Sequence, residues 1–278
     1  MIRRLNLNLN LAWAPYVFSL EVRKILSYRV DFWVQLLASV LVEWGIAYFL
    51  WSAIFANRGA SQFGGYTLPS LMLYYLLMPI FGRMLRGQDW NNGVAEQIYA
   101  GGLNRYLVYP VPFFPYLFMS KLANYTVCLV QLAGALGLYL VLMGLPPGVH
   151  LSFGHMAMGL SSVFFGTVLY FSMSAALELV AFWAENVWSL SVMLSFCSML
   201  LGGAFIPLNL FPAWAQSGLR WLPFSQLLYF PARVFMGQVG VGARLGGLAI
   251  SFGWSVLFFG LVAWVWRRGI RQYSGVGI

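Results

Sequence analysis

The chain has 278 residues, of which 61% are hydrophobic and only 8% are charged, and its mean hydropathy is +0.76. Soluble globular domains carry roughly 25% charged residues, so this composition excludes a soluble protein and places most of the surface in lipid. The net charge of +9 does not indicate nucleic-acid binding, because the basic residues lie at the ends of apolar runs rather than along one soluble face. We therefore expect an all-α integral membrane protein that contacts lipid and no nucleic acid.

Residues 1–31 are the most polar part of the chain and precede the first apolar run. Phe18, Val22 and Ile25 fall on one side of a helix in this region, and Arg23 falls on another. This amphipathic spacing predicts a cytoplasmic helix that lies in the membrane interface. An ordinary helical lead-in to the first span fits the same spacing.

Residues 32–278 are predicted to form a single transmembrane domain of about six helices. Each apolar run is close to or above the roughly 20 residues that cross the hydrocarbon core, and a backbone in lipid must satisfy its own hydrogen bonds, which favours helices. The predicted spans are about 32–55, 66–84, 113–143, 151–180, 187–206 and 245–266.

The lysines and arginines predict the orientation of these spans. Twelve of them fall in segments on one side of the membrane: Arg3, Arg4, Arg23, Lys24, Arg29, Arg83, Arg86, Arg105, Lys121, Arg267, Arg268 and Arg271. Four fall on the other side: Arg58, Arg220, Arg233 and Arg244. Since basic residues favour the cytoplasmic side, both termini are predicted to be cytoplasmic.

The cytoplasmic segment at about 89–101 predicts a short helix between the second and third spans. Asn92 or Gly93 can cap this helix, and Glu96 lies in its first turn. Gly101 and the glycine after it end the helix, which leaves about two turns, or about 10 Å. A capped helix between two spans is suited to docking on another protein, although a plain interfacial loop fits the same residues.

The outer segment at about 206–242 is rich in proline and aromatic residues and contains no run long enough to span. It predicts broken helices that dip partly into the membrane, where such backbone is tolerated only if protein or a water-filled cavity covers it. An outer gate and an aromatic-rich interfacial loop both fit. The residues that carry this prediction are Pro207, Phe211, Pro212, Pro223, Phe224, Pro231 and Gly237.

Sequence motifs for catalysis are missing. A phosphate-binding P-loop needs Gly-Lys-Ser/Thr, but the only lysines, Lys24 and Lys121, follow an arginine and a serine. No metal site is expected. Glu43 falls near the middle of the first span, where an ionised carboxylate costs several kcal/mol unless it is paired or hydrated. It fits a residue that faces a pathway, one that bonds to a neighbouring helix, or a protonated side chain buried in packing.

Three stretches resemble the permeases of bacterial type-2 ATP-binding-cassette (ABC) exporters, the ABC-2 family. They are Glu21–Lys24 continuing through Tyr28–Phe32, Gly102–Val111, and Ile206–Pro212 followed by Leu222–Phe224, Tyr229–Pro231 and Gly237. The last is the most specific, and the three occur in the order found in the family.

The resemblance implies an export permease that pairs with a second permease, identical or homologous, in the bacterial plasma membrane. Separate ATPase subunits would bind ATP and Mg²⁺, so this chain is expected to hold no cofactor and to be no enzyme. The helix at about 89–101 would be the coupling helix on the ATPase, with Asp89, Asn92, Gly93, Glu96 and Arg105 at the contact. Residues 206–242 would form the outer gate. The main rival is a secondary transporter that uses Glu43, because such proteins carry an intramembrane carboxylate.

Overall fold

The structure is a computed structural model that describes residues 11–27, 29–59, 61–87, 93–108 and 111–273. The described residues are almost entirely helical, as predicted, and their strand content is a single bridge between Phe63 and Tyr66. The α-helices are α1 (Ala14–Ser27), α2 (Arg29–Arg58), α3 (Leu68–Arg86), α4 (Val94–Tyr99), α5 (Leu103–Val108), α6 (Phe113–Met143), α7 (Phe153–Glu178), α8 (Trp188–Leu200), α9 (Ala213–Leu219), α10 (Tyr229–Phe235) and α11 (Val241–Gly269).

Five helices of the described residues are long and apolar enough to cross a membrane. They are Trp33–Arg58, Leu68–Arg86, Phe113–Met143, Phe153–Phe182 and Val241–Gly269, which correspond to five of the six predicted spans. The chain is therefore a multi-pass membrane protein.

The remaining predicted span, 187–206, differs from the prediction. Its helix, α8, has 13 residues and is about 20 Å long at 1.5 Å per residue, which is shorter than the hydrocarbon core. α8 ends because Gly203 adopts a left-handed φ of 84°, and the N–H of Ala204 turns back to the carbonyl of Met199 at 2.8 Å. The apolar run continues past this turn, so hydropathy alone extended the span too far.

α3 lies at the centre of the bundle, between α2, α6, α7 and α10. Its side chains are buried along nearly the whole helix, including Tyr74 and Phe81. Buried hydrogen bonds tie it to its neighbours: the indole N–H of Trp44 donates to the carbonyl of Met72 at 3.1 Å, and the hydroxyl of Tyr139 donates to the carbonyl of Pro69 at 2.7 Å.

α1 packs along α6 through the apolar face that the sequence predicts. Ile25 is buried against Ala123 and Val127, with Phe18 and Val22 beside them. The amphipathic character of this helix is therefore confirmed. Its place in the membrane interface, and the division of residues 1–31 from 32–278, stay predictions.

The long helices alternate in direction, so that the connections gather at two ends of the bundle. α3 and α7 both end near α4, and the last turn of α11 packs there too, with Gly269 against Phe182. We call the end that carries α4 the inner end, after the orientation that the basic residues predict, and the opposite end the outer end.

Candidate functional site

α4 is the predicted short helix at the inner end, in a slightly shorter form. It has six residues, which is about 9 Å. Gly93 is its N-cap, Glu96 lies in its first turn, and Gly101 ends it with a left-handed φ of 68°. The predicted contact residues Asp89 and Asn92 lie outside the described residues.

The N-terminus of α4 is held by a carboxylate from α7. The backbone N–H of Ala95 donates to the carboxylate of Glu178 at 3.4 Å, and the hydroxyl of Ser174 donates to the other oxygen of the same carboxylate. A negative charge at a helix N-terminus is favourable, because the first N–H groups of a helix lack backbone partners. Gly93 permits this contact, since a Cβ there would collide with the Glu178 carboxylate.

The C-terminus of α4 is held by the turn that follows α7. The hydroxyl of Tyr99 donates to the carbonyl of Ala184 at 2.9 Å. Burial raises the pKa of Tyr99, so its hydroxyl stays protonated at neutral pH and remains a donor. Val94 and Ile98 are buried against a cluster that includes Leu179. α4 is therefore fixed at both ends to the connection between α7 and α8.

Two of the predicted contact residues lie on the surface of the inner end. Glu96 is exposed on α4, and Arg105 is exposed on α5. The guanidinium of Arg105 lies over the ring of Tyr106, with its carbon 5.1 Å from the ring centroid, while Leu103 anchors α5 in the core. Glu96 and Arg105 are thus presented outward on two short helices that the bundle holds in place.

A cavity of about 720 Å³ opens at the inner end, between α4 and the helices α1, α3, α6, α7 and α8. Its walls are polar as well as apolar. The ammonium of Lys121 donates to the carbonyl of Arg86 at 2.6 Å, and the hydroxyl of Ser120 donates to the carboxylate of Glu21 at 3.2 Å. Gln35 of α2 also lines this cavity.

Glu43 lies beyond this cavity on α2 and is exposed in the single chain. Gln35, Ser39 and Glu43 are spaced four residues apart, so they form one polar stripe along α2. Packing within this single chain therefore does not bury Glu43, and its role stays a prediction. The stripe leads from the inner cavity towards the middle of the helix.

The outer segment consists of short helices, as predicted. They are the 3₁₀ helices Leu208–Leu210 and Phe224–Gln226 and the α-helices α9 and α10. Pro207, Pro212 and Pro223 each directly precede one of them, where the missing N–H of proline costs no hydrogen bond. Pro231 lies in the first turn of α10 for the same reason. Phe211 and Phe224 flank these turns, and Gly237 ends α10 with a φ of 72°.

α10 is packed into the bundle rather than lying on its surface. The rings of Phe235 and Phe81 are 5.9 Å apart, and Gly159 of α7 allows the approach, because a Cβ there would lie 2.6 Å from the Cα of Phe235. The N–H of Tyr229 donates to the carbonyl of Gly202 at 2.9 Å. α10, which carries Pro231, therefore packs against α7 and lies beside the end of α8.

Residues 41–277 match the family described as ABC-2 family transporter protein. The chain belongs to this family. The match covers the segment between α3 and α6 that contains α4, the outer segment, and at least part of each of the five long helices. It excludes the first of the three stretches that carried the resemblance. No curated protein shows significant similarity to the chain. As an ABC-2 family member, the chain is a membrane component of a transporter rather than an enzyme, of a kind that generally associates with ABC ATPase subunits.

Sequence reasoning missed two residues that position α4 in this ABC-2 protein. Neither Glu178 nor Tyr99 was assigned a role in positioning this helix. Each makes a hydrogen bond to a residue more than eighty positions away in the sequence: Glu178 to Ala95, and Tyr99 to Ala184. The one local signal is Ser174, four residues before Glu178, since this spacing lets the two side chains meet on a helix.

Proposed function

We propose that the chain is the permease subunit of an ATP-driven ABC exporter in a bacterial plasma membrane. It forms a substrate pathway with a second permease, identical or homologous, and works with separate ATPase subunits. ATP and Mg²⁺ bind in those ATPase subunits, and the permease itself holds no cofactor.

The observation that carries this proposal is the attachment of α4 at both of its ends. A helix that only connected two spans would need no such attachment. A helix that an ATPase displaces must be attached to the spans in order to move them. Glu178 links α4 to α7, and Ala184 links it to the turn before α8. A displacement of α4 by a bound ATPase therefore moves α7 and α8 with it.

ATP can drive this movement only if the ATPase binds it differently in the two states of the permease. Closure of the ATPase subunits on ATP pushes the two coupling helices together and opens the outer ends of the permeases. α10 packs on α7 through Gly159, so α7 connects the coupling helix to the outer segment. This supports a gate role for the outer segment.

The pathway begins at the inner cavity and follows the polar stripe of α2. A carboxylate such as Glu43 is costly against lipid, so the exposed side of α2 that carries it faces water or a second permease. The exposed side of α11 is apolar, with Phe252 and Val256 as examples, and it faces lipid. The second permease therefore packs beside α2.

A secondary transporter remains the second candidate, and the position of Glu43 on the polar stripe favours it. That candidate requires Glu43 to exchange an ion during transport. Glu43→Gln keeps the size of the side chain but cannot ionise. The exporter proposal predicts that ATPase activity of the complex in liposomes survives Glu43→Gln and the collapse of ion gradients.

A site-specific cross-linker tests the docking of α4 directly. A photo-reactive residue in place of Glu96 is expected to capture an ABC ATPase in membranes, since Glu96 is exposed on α4. The matched control is the same residue in place of Val130, which is 62% exposed near the middle of the membrane-spanning helix α6. Capture at Val130 alone, or at neither position, would contradict the proposal.

A further inference from the structure

A second cavity, of about 540 Å³, opens at the outer end of the bundle. It lies between the loop before α3, the loop before α7 and the turn between α10 and α11. The residues that line it are Gly64, Gly65, Tyr66, Gly148, His150, Asn209, Arg233, Gly237, Gln238, Val239, Gly240 and Arg244. Its mouth is formed largely by exposed glycines, so its lining presents backbone and is accessible from the outer side.

Two arginines converge on one turn of this cavity. A guanidinium N–H of Arg233 donates to the carbonyl of Gln238 at 3.2 Å, and the Nε–H of Arg244 donates to the adjacent carbonyl of Val239 at 2.6 Å. Arg244 is only 8% exposed. Each guanidinium has five N–H donors, and the structure uses two of them on each side chain. Both guanidinium groups therefore keep N–H donors that these hydrogen bonds do not use.

Among the described residues, no carboxylate lies at this cavity to balance these charges. Its lining contains no aspartate or glutamate, and the sequence has none after Glu185. Arg244 also lies in the first turn of α11, where the helix dipole is itself positive. Two cations gathered at one turn without a counter-ion repel each other, and burial makes that repulsion stronger.

Two buried donors at this cavity have no hydrogen-bond partner among the described residues, and one of them is an Arg233 donor already counted above. The hydroxyl of Tyr66 is buried and makes no hydrogen bond, although Tyr66 is only 1% exposed and lines the cavity. The Nε–H of Arg233 is likewise buried without a partner. Burial raises the pKa of Tyr66, so this hydroxyl stays protonated. Buried donors of this kind are costly unless a ligand or water accepts from them.

We propose that this outer cavity is a binding site for a phosphate-type oxyanion, held by Arg233, Arg244 and Tyr66. The donors approach from the loop before α3, from α10 and from α11, which suits a tetrahedral group whose oxygens point in several directions. Guanidinium groups match such oxyanions in charge and geometry. The bound group is the phosphate of a lipid headgroup or a soluble phosphate. The site stands independently of ATPase docking.

Binding of radiolabelled inorganic phosphate to the purified full chain in neutral detergent tests the site. We expect saturable binding that equal ionic strength of chloride does not displace. Arg233→Gln and Arg244→Gln should each weaken it by at least about tenfold, because each removes charged hydrogen bonds. Arg220→Gln is the matched control: Arg220 is an exposed outer arginine outside the cavity, and its loss should leave binding unchanged.

A second measurement distinguishes a lipid headgroup from a soluble phosphate as the bound group. Native mass spectrometry of the chain from nanodiscs that contain anionic phospholipid shows whether a lipid is retained. Retention that is lost in Arg233→Gln or Arg244→Gln identifies a headgroup site, and phosphate binding without lipid retention identifies a soluble anion. Neither lipid retention nor phosphate binding, or binding that chloride displaces equally, would overturn the proposal.

Tyr66→Phe distinguishes a ligand site from a hydrated cavity and is a mild change to the fold. If the hydroxyl serves an anion, the variant without ligand melts at the same temperature or higher, and phosphate binding weakens severalfold. If water alone satisfies the hydroxyl, the variant melts lower and phosphate binding is unchanged, which would count against the site.

Discussion

The carboxylate of Glu178 accepts a 3.4 Å hydrogen bond from the backbone N–H of Ala95, although the two residues are far apart in sequence. Glu178 is the last residue of α7, and Ala95 lies in the first turn of α4. This contact joins a membrane-spanning helix to the short helix that an ATPase would contact. It attaches α4 to α7 at the inner end of the ABC-2 protein, and the first prediction concerns the loss of this contact.

Glu178→Ala is expected to loosen α4 without unfolding the bundle. Loss of an N-terminal cap costs about 1 kcal/mol, so amides in the first turn of α4 should exchange about fivefold faster. Hydrogen exchange with mass spectrometry of the chain in detergent measures this. Glu185→Ala is the control, since Glu185 is an exposed carboxylate on the same connection and is not the residue that accepts from Ala95. Equal exchange in the Glu178 and Glu185 variants would show that α4 does not depend on the carboxylate.

Gly93→Ala is expected to uncouple the ATPase from the permease. Its backbone φ of −70° suits alanine, so the effect comes from the added methyl group, which would displace the Glu178 carboxylate from the N–H of Ala95. The reconstituted complex should then hydrolyse ATP at the same rate as the ATPase without the permease. Gly134→Ala is the control, because nothing lies within 4 Å of a Cβ there.

Glu96→Arg is expected to weaken the association with the ATPase through the surface of α4. Glu96 is exposed and borders the inner cavity, so a charge reversal there changes the inner surface while Val94 and Ile98 keep α4 packed. Ser19→Arg on α1 adds a positive charge at another exposed position and serves as the control. Affinity of the purified permease for its ATPase is the measurement, and equal affinity for both variants would remove Glu96 from the contact.

Ile46→Cys is expected to form a cross-link to the second permease. Ile46 is 64% exposed and lies one turn after Glu43 on α2, on the side that we assign to the second permease. Phe252→Cys on α11, 61% exposed, should not cross-link because it faces lipid. Both variants need Cys197→Ala, since that cysteine is partly exposed. A cross-link at Phe252 and none at Ile46 would place the second permease elsewhere.

Gly159→Ala is expected to destabilise the packing of α10 on α7. A Cβ at Gly159 would lie 2.6 Å from the Cα of Phe235, which is backbone and cannot move alone. Such overpacking typically costs about 1–3 kcal/mol. Gly134→Ala lies in open space and should raise stability by up to about 1 kcal/mol. The melting temperature in detergent measures both, and a stable Gly159→Ala variant would show that α10 can withdraw from α7.

Hydropathy predicted most of this fold, because span length and apolar character are local properties. Five of the six predicted spans are long helices, and the proline and aromatic content of residues 206–242 predicted the broken helices found there. The prediction was wrong at α8, where Gly203 turns the chain while the apolar run continues. Hydropathy does not register a left-handed glycine inside an apolar segment, so the stop signal of Gly202 and Gly203 was overridden by the apolar run.

The candidate site was only partly predictable from the sequence. Gly93 and Glu96 follow from local capping patterns, and the structure places both on or beside α4. Glu178 and Tyr99 act through contacts with residues distant in sequence, and a single sequence carries no record of such pairs. Arg233 and Arg244 were counted only among the outer basic residues for the same reason, although they converge on one turn.

The most direct test of the exporter account is co-purification of the tagged chain from its own membranes in mild detergent. Mass spectrometry of the isolated complex identifies the proteins that co-purify with the chain. The account predicts a stoichiometric soluble protein with a phosphate-binding P-loop, together with a second permease or a second copy of this chain. A folded chain that is recovered alone each time would contradict the account, and the outer anion site would still stand on its own measurement.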